Sequence, residues 1–313
     1  MNGTGKKIMI TGTTGFAGRA VAAWFLNHGF QVSGPGRRAA EDRRIEFVPI
    51  SEIDSRTSWH EALAGADYVI HLAARAHQMG DGPEADSLYF QTNTEATENL
   101  ARQAAAAGIR HFVFISSTKA MITTSTDVAL KETMPCNPQD PYGLSKYKAE
   151  LELASISADT GMPVTVLRPP LMYGPGVKGN MATLIRLIKA LRWVPLGGIN
   201  NRRSLLAVNN LASAIATVLG NRVAFGKTYL VSDGEQISTS DLARRLIEVF
   251  KPSSTLISMP TLFWKIMSRL PFLSAKFDRL TGSLAVDSSL LENETGWKPP
   301  FTMIQQLMEM KDL

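Results

Sequence analysis

Tyr142 and Lys146 stand four residues apart in the run Tyr142-Gly143-Leu144-Ser145-Lys146. On a helix, positions i and i+4 share a face, so a phenol and an ammonium would point into one cleft. Such a pair suits delivery of a proton to a carbonyl oxygen while a hydride reaches the carbon. A free tyrosine has a pKa of about 10, and bringing it to about 7 takes ~4 kcal/mol. A cation roughly 4 Å away at an effective dielectric of about 20 contributes ~4 kcal/mol. A hydroxyl should complete the set by holding the substrate oxygen. Ser116, Ser117 and Thr118 compete for that role, after the strand-like run HFVFIS.

A second group of residues offers a seat for the hydride carrier. Thr11-Gly12-Thr13-Thr14-Gly15-Phe16-Ala17-Gly18 follows the first apolar run and opens the first helical pattern. Gly12 permits a tight turn, Gly15 clears space for a pyrophosphate, and Gly18 allows the helix to pack close to the sheet. The N–H groups of that helix start, near Thr14 and Phe16, would face the phosphates. Together these residues read as a dinucleotide-binding turn. A second strand in this setting usually ends in an acid that binds the adenosine ribose. Here the chain reads Val32-Ser33-Gly34-Pro35-Gly36-Arg37-Arg38, with no acid and two arginines. Guanidinium groups bind a 2′-phosphate, so NADP is favoured and NAD is the alternative. Ala73 and Ala74 are small enough for backbone to lie against the dinucleotide, and Glu52 and Ile53 could bracket the adenine.

These residues need a scaffold that brings them together, and the pattern supplies one. Strand-like segments at 7–11, 30–33, 68–74, 111–116 and 164–168 alternate with helical spacing at 16–27, 93–107 and 142–159. Strands alternating with crossover helices predict an α/β fold, a doubly wound parallel Rossmann sheet. After about residue 170 the rhythm loosens. Helices are expected at 181–192, 209–219 and 239–250, the last opened by a capping box at Ser238-Thr239-Ser240-Asp241. The predicted division is a dinucleotide-binding domain over 1–170, which also receives later segments, and a smaller α/β substrate lobe mainly from 171–313.

Bulk composition narrows the class. The 313 residues are 44% hydrophobic with a net charge of +5. That excess suits an anionic ligand, and no basic block marks a nucleic-acid face. One cysteine, Cys136, forms no internal disulfide, and no Cys/His spacing suggests a metal. The polar start is no signal peptide and no apolar run spans a bilayer, so a cytoplasmic protein is expected. The apolar stretch 255–273 carries Lys265, Arg269 and two prolines, and reads as a packed helix.

The GxxGxxG turn and the blocks YVIHLAA, FISSTKA, PYGLSK, LRPPLMYGP, RSLLAVNNLA, YLVSDGE and TGWKPP resemble the extended short-chain dehydrogenase/reductases. The likeness is to their NAD-dependent epimerase/dehydratase family and covers nearly the whole chain. It selects Ser117 as the catalytic hydroxyl and makes Asn93 a support of the active-site strand, on the cofactor side. In the second lobe it points to Asn180, Arg203 and Arg279 as sugar-nucleotide contacts. Pro170-Leu171 departs from the asparagine that relatives carry there. The resemblance also implies a possible homodimer built on two helices. HLAARAH, RPPLMYGPGVKGN and RLTGSLAVD are similar to bacterial polysaccharide-pathway members. Those include 4-keto-6-deoxy sugar-nucleotide reductases and 4-epimerases.

Reduction and epimerisation at C4 of a UDP-hexose would use the same Ser117, Tyr142 and Lys146. Arg37 and Arg38 favour the 4-keto-6-deoxy reductase, because a phosphorylated cofactor is usually held reduced. A 4,6-dehydratase would want acids where this chain has Thr118 and Lys119. A non-catalytic, cofactor-sensing protein on the same fold would commonly have lost the Tyr142–Lys146 pair. A reductase of ketones that are not nucleotides would have little use for Arg203 and Arg279.

Overall fold

The computed structural model describes residues 5–76, 83–123, 125–260 and 280–311. Its first half lays down strands β1 (Lys7–Thr11), β2 (Gln31–Gly36), β3 (Glu46–Pro49), β4 (Tyr68–His71), β5 (His111–Ile115) and β6 (Val164–Arg168). Between them run helices α1 (Phe16–Asn27), α2 (His60–Leu63), α3 (Pro83–Phe90), α4 (Ala96–Ala106) and α5 (Pro141–Thr160). The second half contributes β7 (Leu171–Tyr173), α6 (Gly179–Ala190), β8 (Trp193–Gly197), β9 (Arg203–Ala207), α7 (Val208–Val218) and β10 (Thr228–Leu230). It ends with β11 (Gln236–Ile237), α8 (Thr239–Phe250), β12 (Thr255–Ser258), α9 (Ser289–Thr295) and α10 (Met303–Glu309).

Seven strands form one parallel sheet in the order β10-β6-β5-β4-β1-β2-β3. The order reverses between β1 and β4. That switch point is where open α/β sheets leave a crevice at the carboxyl ends of their strands. Alternation along each strand feeds two cores. Ile8, Ile10, Ile70 and Val113 pack against Val21 and Phe25 of α1 and Leu211 and Ile215 of α7. Met9, Val69, Phe112 and Phe114 pack against Leu100 and Ala104 of α4 and Leu153 and Ile156 of α5. A third core joins α6, α8 and α10 through Ile185, Ile188, Leu246 and Leu307. It lies with the two small sheets, β11-β9-β7 and β12-β8.

Three departures from the expected elements have local causes. The fourth strand ends at His71 rather than residue 74, because the Thr11 hydroxyl accepts the N–H groups of Leu72 and Ala73 at 3.1 and 3.0 Å. Those amides leave the ladder. The second strand runs on through Gly34-Pro35-Gly36, a poor strand sequence, because β3 pairs with Ser33 to Gly36. The fourth helix is entered through a wider π-helical turn over Gln91–Glu95. At Ser238 the hydroxyl caps the Asp241 N–H at 3.0 Å, whereas a reciprocal capping box sits at Thr302 and Gln305. Of the apolar stretch 255–273, residues 255–258 form β12, and the remainder from 261 lies outside the described residues. Among the described residues, no helix is long and apolar enough to cross a membrane.

Two buried histidines tie the sheet together and make it sensitive to acid. His111 accepts the Gly220 N–H at Nδ1 (2.9 Å), so its Nε2–H donates to Thr165 (2.9 Å). Burial lowers His111 from 6.5 to about 4 and His71 from 6.5 to about 3. The unfolded chain therefore takes up protons below about pH 6.5 that the folded chain refuses, and stability falls as pH drops from there. By about pH 5 each histidine costs about 2 kcal/mol. Urea unfolding at pH 5 should give a clearly lower midpoint than at pH 7, and equal midpoints would contradict this.

Candidate active site

The glycine turn has the shape of an anion seat. Gly12 adopts φ +77°, and a Cβ there would lie 3.0 Å from the Ala73 nitrogen. A Cβ at Gly18 would meet the Gly12 carbonyl oxygen, so helix and turn can approach only without a side chain. Gly15 caps α1 with no side-chain acceptor, and the first turn holds no acid. Thr14 and Gly15 are exposed and Phe16 is half-buried. The uncapped N–H groups and the positive end of the helix dipole fit a diphosphate. Ala73 backs this turn, and Ala74 is exposed beside it.

At the carboxyl end of β2, Arg37 and Arg38 are both exposed. Neither has an ion pair or hydrogen bond among the described residues, unlike their neighbours. Arg44 is committed to Asp42 and Asn27, and Arg19 to Glu41. The loop after β3 lines a cavity of about 840 Å³ with Ile50, Ser51 and Glu52, beside that strand end. Ile53 instead packs partly into the core.

Tyr142 reaches the site on the first turn of α5. Asp140 caps the helix by accepting the Gly143 N–H at 2.9 Å, and Pro141 begins it. Gly143 has no Cβ to collide with the Lys119 carbonyl, which would stand 2.3 Å away. That close approach carries Tyr142 beside Ser117, whose hydroxyl favours the ionised phenol. The structure thereby separates the three candidate hydroxyls. Ser117 caps the short helical turn Thr118–Ala120 and faces Tyr142. Ser116 donates to Glu150, and Thr118 is buried. Lys119 pairs with Asp140 at 3.3 Å and donates to the Thr123 carbonyl at 3.1 Å, pinning the loop to the helix start.

Lys146 follows Tyr142 by one turn of α5 and is buried. Its ammonium donates to the Ile115 carbonyl at 2.9 Å and lies 4.4 Å from the centroid of the Phe114 ring. Burial pulls it down to about 7, opposed by Glu150 one turn along. Tyr142 is pushed up to about 12, first by burial, against the Ser117 hydrogen bond, with Asp140 and Tyr89 adding to the rise.

Asn93 is fully buried in the π turn and binds no loose group. Its Oδ1 accepts the Arg75 N–H at 2.8 Å, and its Nδ2 donates to the Arg75 carbonyl and to Ser145 Oγ, each at 3.0 Å. It thus ties the chain beyond β4 to the residue preceding Lys146. Thr94 adds a bond to the Ser145 carbonyl at 2.8 Å.

The second-lobe candidates are less gathered. Arg203 begins β9 half-buried, and burial alone lowers it, with no carboxylate opposing. Its strand neighbours there are Ile237 of β11 on one side and Leu284 on the other. Asn180 is exposed on the first turn of α6, and no hydrogen bond links it to Tyr142 or Arg203. Arg279 lies outside the described residues. Sequence reasoning missed Tyr89, whose ring stands 6.0 Å from that of Tyr142. It also missed the buried Glu150–Arg168 pair. Glu150 could have been found, because it is one turn beyond Lys146 on the same helix face.

Comparison with known proteins agrees with this geometry. The model of the NAD dependent epimerase/dehydratase family matches residues 8–232. A UDP-glucose 4-epimerase of Vibrio cholerae is 37% identical over 303 residues, covering 95% of this chain and 92% of the relative. Two solved structures share the fold at lower identity. UDP-N-acetylglucosamine 4-epimerase from Bacillus cereus superposes with a TM-score of 0.80 at 19% identity, covering 98% of each chain. UDP-glucose 4-epimerase from Thermotoga maritima, solved with UDP-glucose, gives 0.77 at 20% identity, covering 98% of this chain and 97% of that one.

Replacing Gly143 with alanine should lever the first turn of α5 off the 117–120 loop. The expected result is a folded protein with a loss of turnover of about a hundredfold, since about an ångström of misplacement suffices. Steady-state turnover and circular dichroism of the variant measure it.

Proposed function

The chain belongs to the NAD dependent epimerase/dehydratase family, and from that premise we propose that it moves a hydride at C4 of a UDP-linked hexose. The observation that carries this reading is the placing of Ser117 beside Tyr142, on a helix that also buries Lys146 against the same strand end. When bound, a nicotinamide dinucleotide supplies the hydride acceptor and donor. Its diphosphate would rest on the Gly12–Gly18 turn, whose uncapped N–H groups suit it. Tyr142 gives a proton to the C4 oxygen when a ketone is reduced, and takes one when an alcohol is oxidised. Ser117 holds that oxygen in place by hydrogen bonding. Lys146 keeps positive charge near the phenolate left behind. Asn180, Arg203 and Arg279 are proposed contacts of the sugar nucleotide, Arg203 being desolvated and unopposed.

Reduction of a 4-keto-6-deoxy sugar nucleotide is the reading favoured by Arg37 and Arg38, which have no partner among the described residues and suit the 2′-phosphate of NADP. Epimerisation at C4 is the second reading, supported by the name of the Vibrio relative. The enzyme assayed with NADPH and a UDP-4-keto-6-deoxy hexose should consume NADPH. Assayed with UDP-glucose or UDP-N-acetylglucosamine alone, a C4-inverted product without net redox change would instead establish epimerisation. Activity in neither tube would refute the proposal.

Two variants test the roles. Tyr142→Phe should lower turnover by about a hundredfold or more. Arg37→Ala combined with Arg38→Ala should raise the KM for NADPH by about tenfold or more while leaving that for NADH nearly unchanged. Equal changes for both cofactors would remove the case for NADP.

A further inference from the structure

His71 closes β4 with none of its surface exposed, and the proposed chemistry leaves it without a task. Its two ring nitrogens are both engaged. Nδ1 lies 2.7 Å from Thr11 Oγ1 and Nε2 lies 2.9 Å from Thr97 Oγ1. The partners fix which nitrogen carries the proton. Thr97 spends its own hydrogen on the Asn93 carbonyl at 2.8 Å, so it accepts from Nε2–H. Thr11 accepts two backbone N–H groups, from Leu72 and Ala73, so its hydrogen goes to Nδ1. The imidazole is then neutral, one donor and one acceptor, a combination that a single ring offers at opposite edges.

Both ends of this chain of bonds reach the site. Thr11 directly precedes Gly12, and it holds Ala73, whose backbone lies against Gly12. Thr97 leads to Asn93, which grips Arg75 and Ser145 beside Lys146. We propose that His71 is a positioning residue, whose Nε2–H tautomer sets the spacing between the dinucleotide turn and the helix that carries Tyr142 and Lys146. Charge reinforces the choice of a neutral ring. His71 stacks on Phe114 with centroids 5.7 Å apart, and the Lys146 ammonium lies over that same phenyl ring. An imidazolium would face that ammonium and would present Nδ1–H to a hydroxyl already accepting twice. The other groups packed on the ring, Thr11, Thr97 and Phe112, carry no charge.

The inference rests on reading the Gly12–Gly18 turn as the seat of the dinucleotide, and its test separates the two. Long-range proton–nitrogen spectra of the full chain labelled with 15N-histidine report the tautomer without any ligand. The His71 resonances are those displaced in Thr97→Val. They should show Nε2 protonated and Nδ1 bare from about pH 8 down to about pH 5. An Nδ1–H tautomer or an imidazolium at neutral pH would overturn the assignment. NADPH and NADH titrations then test the consequence. His71→Phe keeps a ring but breaks both bonds, and it should weaken dinucleotide binding about tenfold. Thr97→Val should weaken it comparably, and Thr97→Ser should restore the native affinity. Should His71→Phe not fold, the Thr97 pair decides alone. Native affinity in Thr97→Val with only a lower melting temperature would overturn the positioning role. Failure of the unaltered protein to bind either dinucleotide would refute the reading of the turn, while the spectra still decide the tautomer.

Discussion

Lys146 puts a positive charge where the carboxyl edge of the sheet meets α5, with 2% of its surface left to solvent. Withdrawing an ammonium from water costs several kcal/mol unless the protein replaces the lost hydration. Replacement comes from the Ile115 carbonyl, the face of Phe114 and the carboxylate of Glu150 one helical turn away. Glu150 is itself shared with Arg168 and Ser116. Two basic groups therefore draw on one carboxylate: Arg168 stays charged, and Lys146, pulled down to about 7 by burial, holds its proton only up to about neutral pH. Positive charge there favours whichever state of the site is more negative, namely an ionised phenol or a developing alkoxide.

The surrounding elements are constrained by that charge. α5 must lie flat on β5 for the ammonium to reach the strand end, which is why Gly143 meets the 117–120 loop so closely. His71 must remain neutral because it shares Phe114 with Lys146. Asn93 must hold Ser145, since a shift of that residue would carry Lys146 with it. Tyr142, by contrast, is half-buried, and its acidity is governed first by burial and then by Ser117 beside it. The chain thus stores its positive charge beneath the phenol and leaves the final adjustment to what binds above.

Much of this was legible before any coordinates. The parallel sheet followed from alternating strand and helix periods, and the tight uncapped turn from three glycines at a strand-to-helix junction. The companionship of Tyr142 and Lys146 followed from their spacing on one helix. What spacing could not tell was where a flexible side chain points. Four methylenes let Lys146 reach the Ile115 carbonyl, and that contact depends on a carbonyl brought there by the sheet. The choice among Ser116, Ser117 and Thr118 needed the resemblance, because alternation alone admits two of them. The physical reason emerged only with Glu150 occupying Ser116. His71 was hidden for a different reason. A polar residue in an apolar strand shows its purpose only when Thr11 and Thr97, distant in sequence, arrive at its two edges. Arg37 and Arg38 were readable as a missing acid, and the structure adds that neither is neutralised by a neighbour among the described residues.

In the proposed chemistry the charge on Lys146 acts on Tyr142 once a cationic nicotinamide is bound. Carbon NMR of the protein with 13Cζ-labelled tyrosine measures this directly, with Tyr142→Phe identifying the resonance. In the free protein Tyr142 should titrate near 12, and oxidised dinucleotide should lower it by about 2 units or more. In Lys146→Met most of that fall should vanish. A phenol that already titrates near neutrality in the free protein, or one that falls equally without the lysine, would contradict the account.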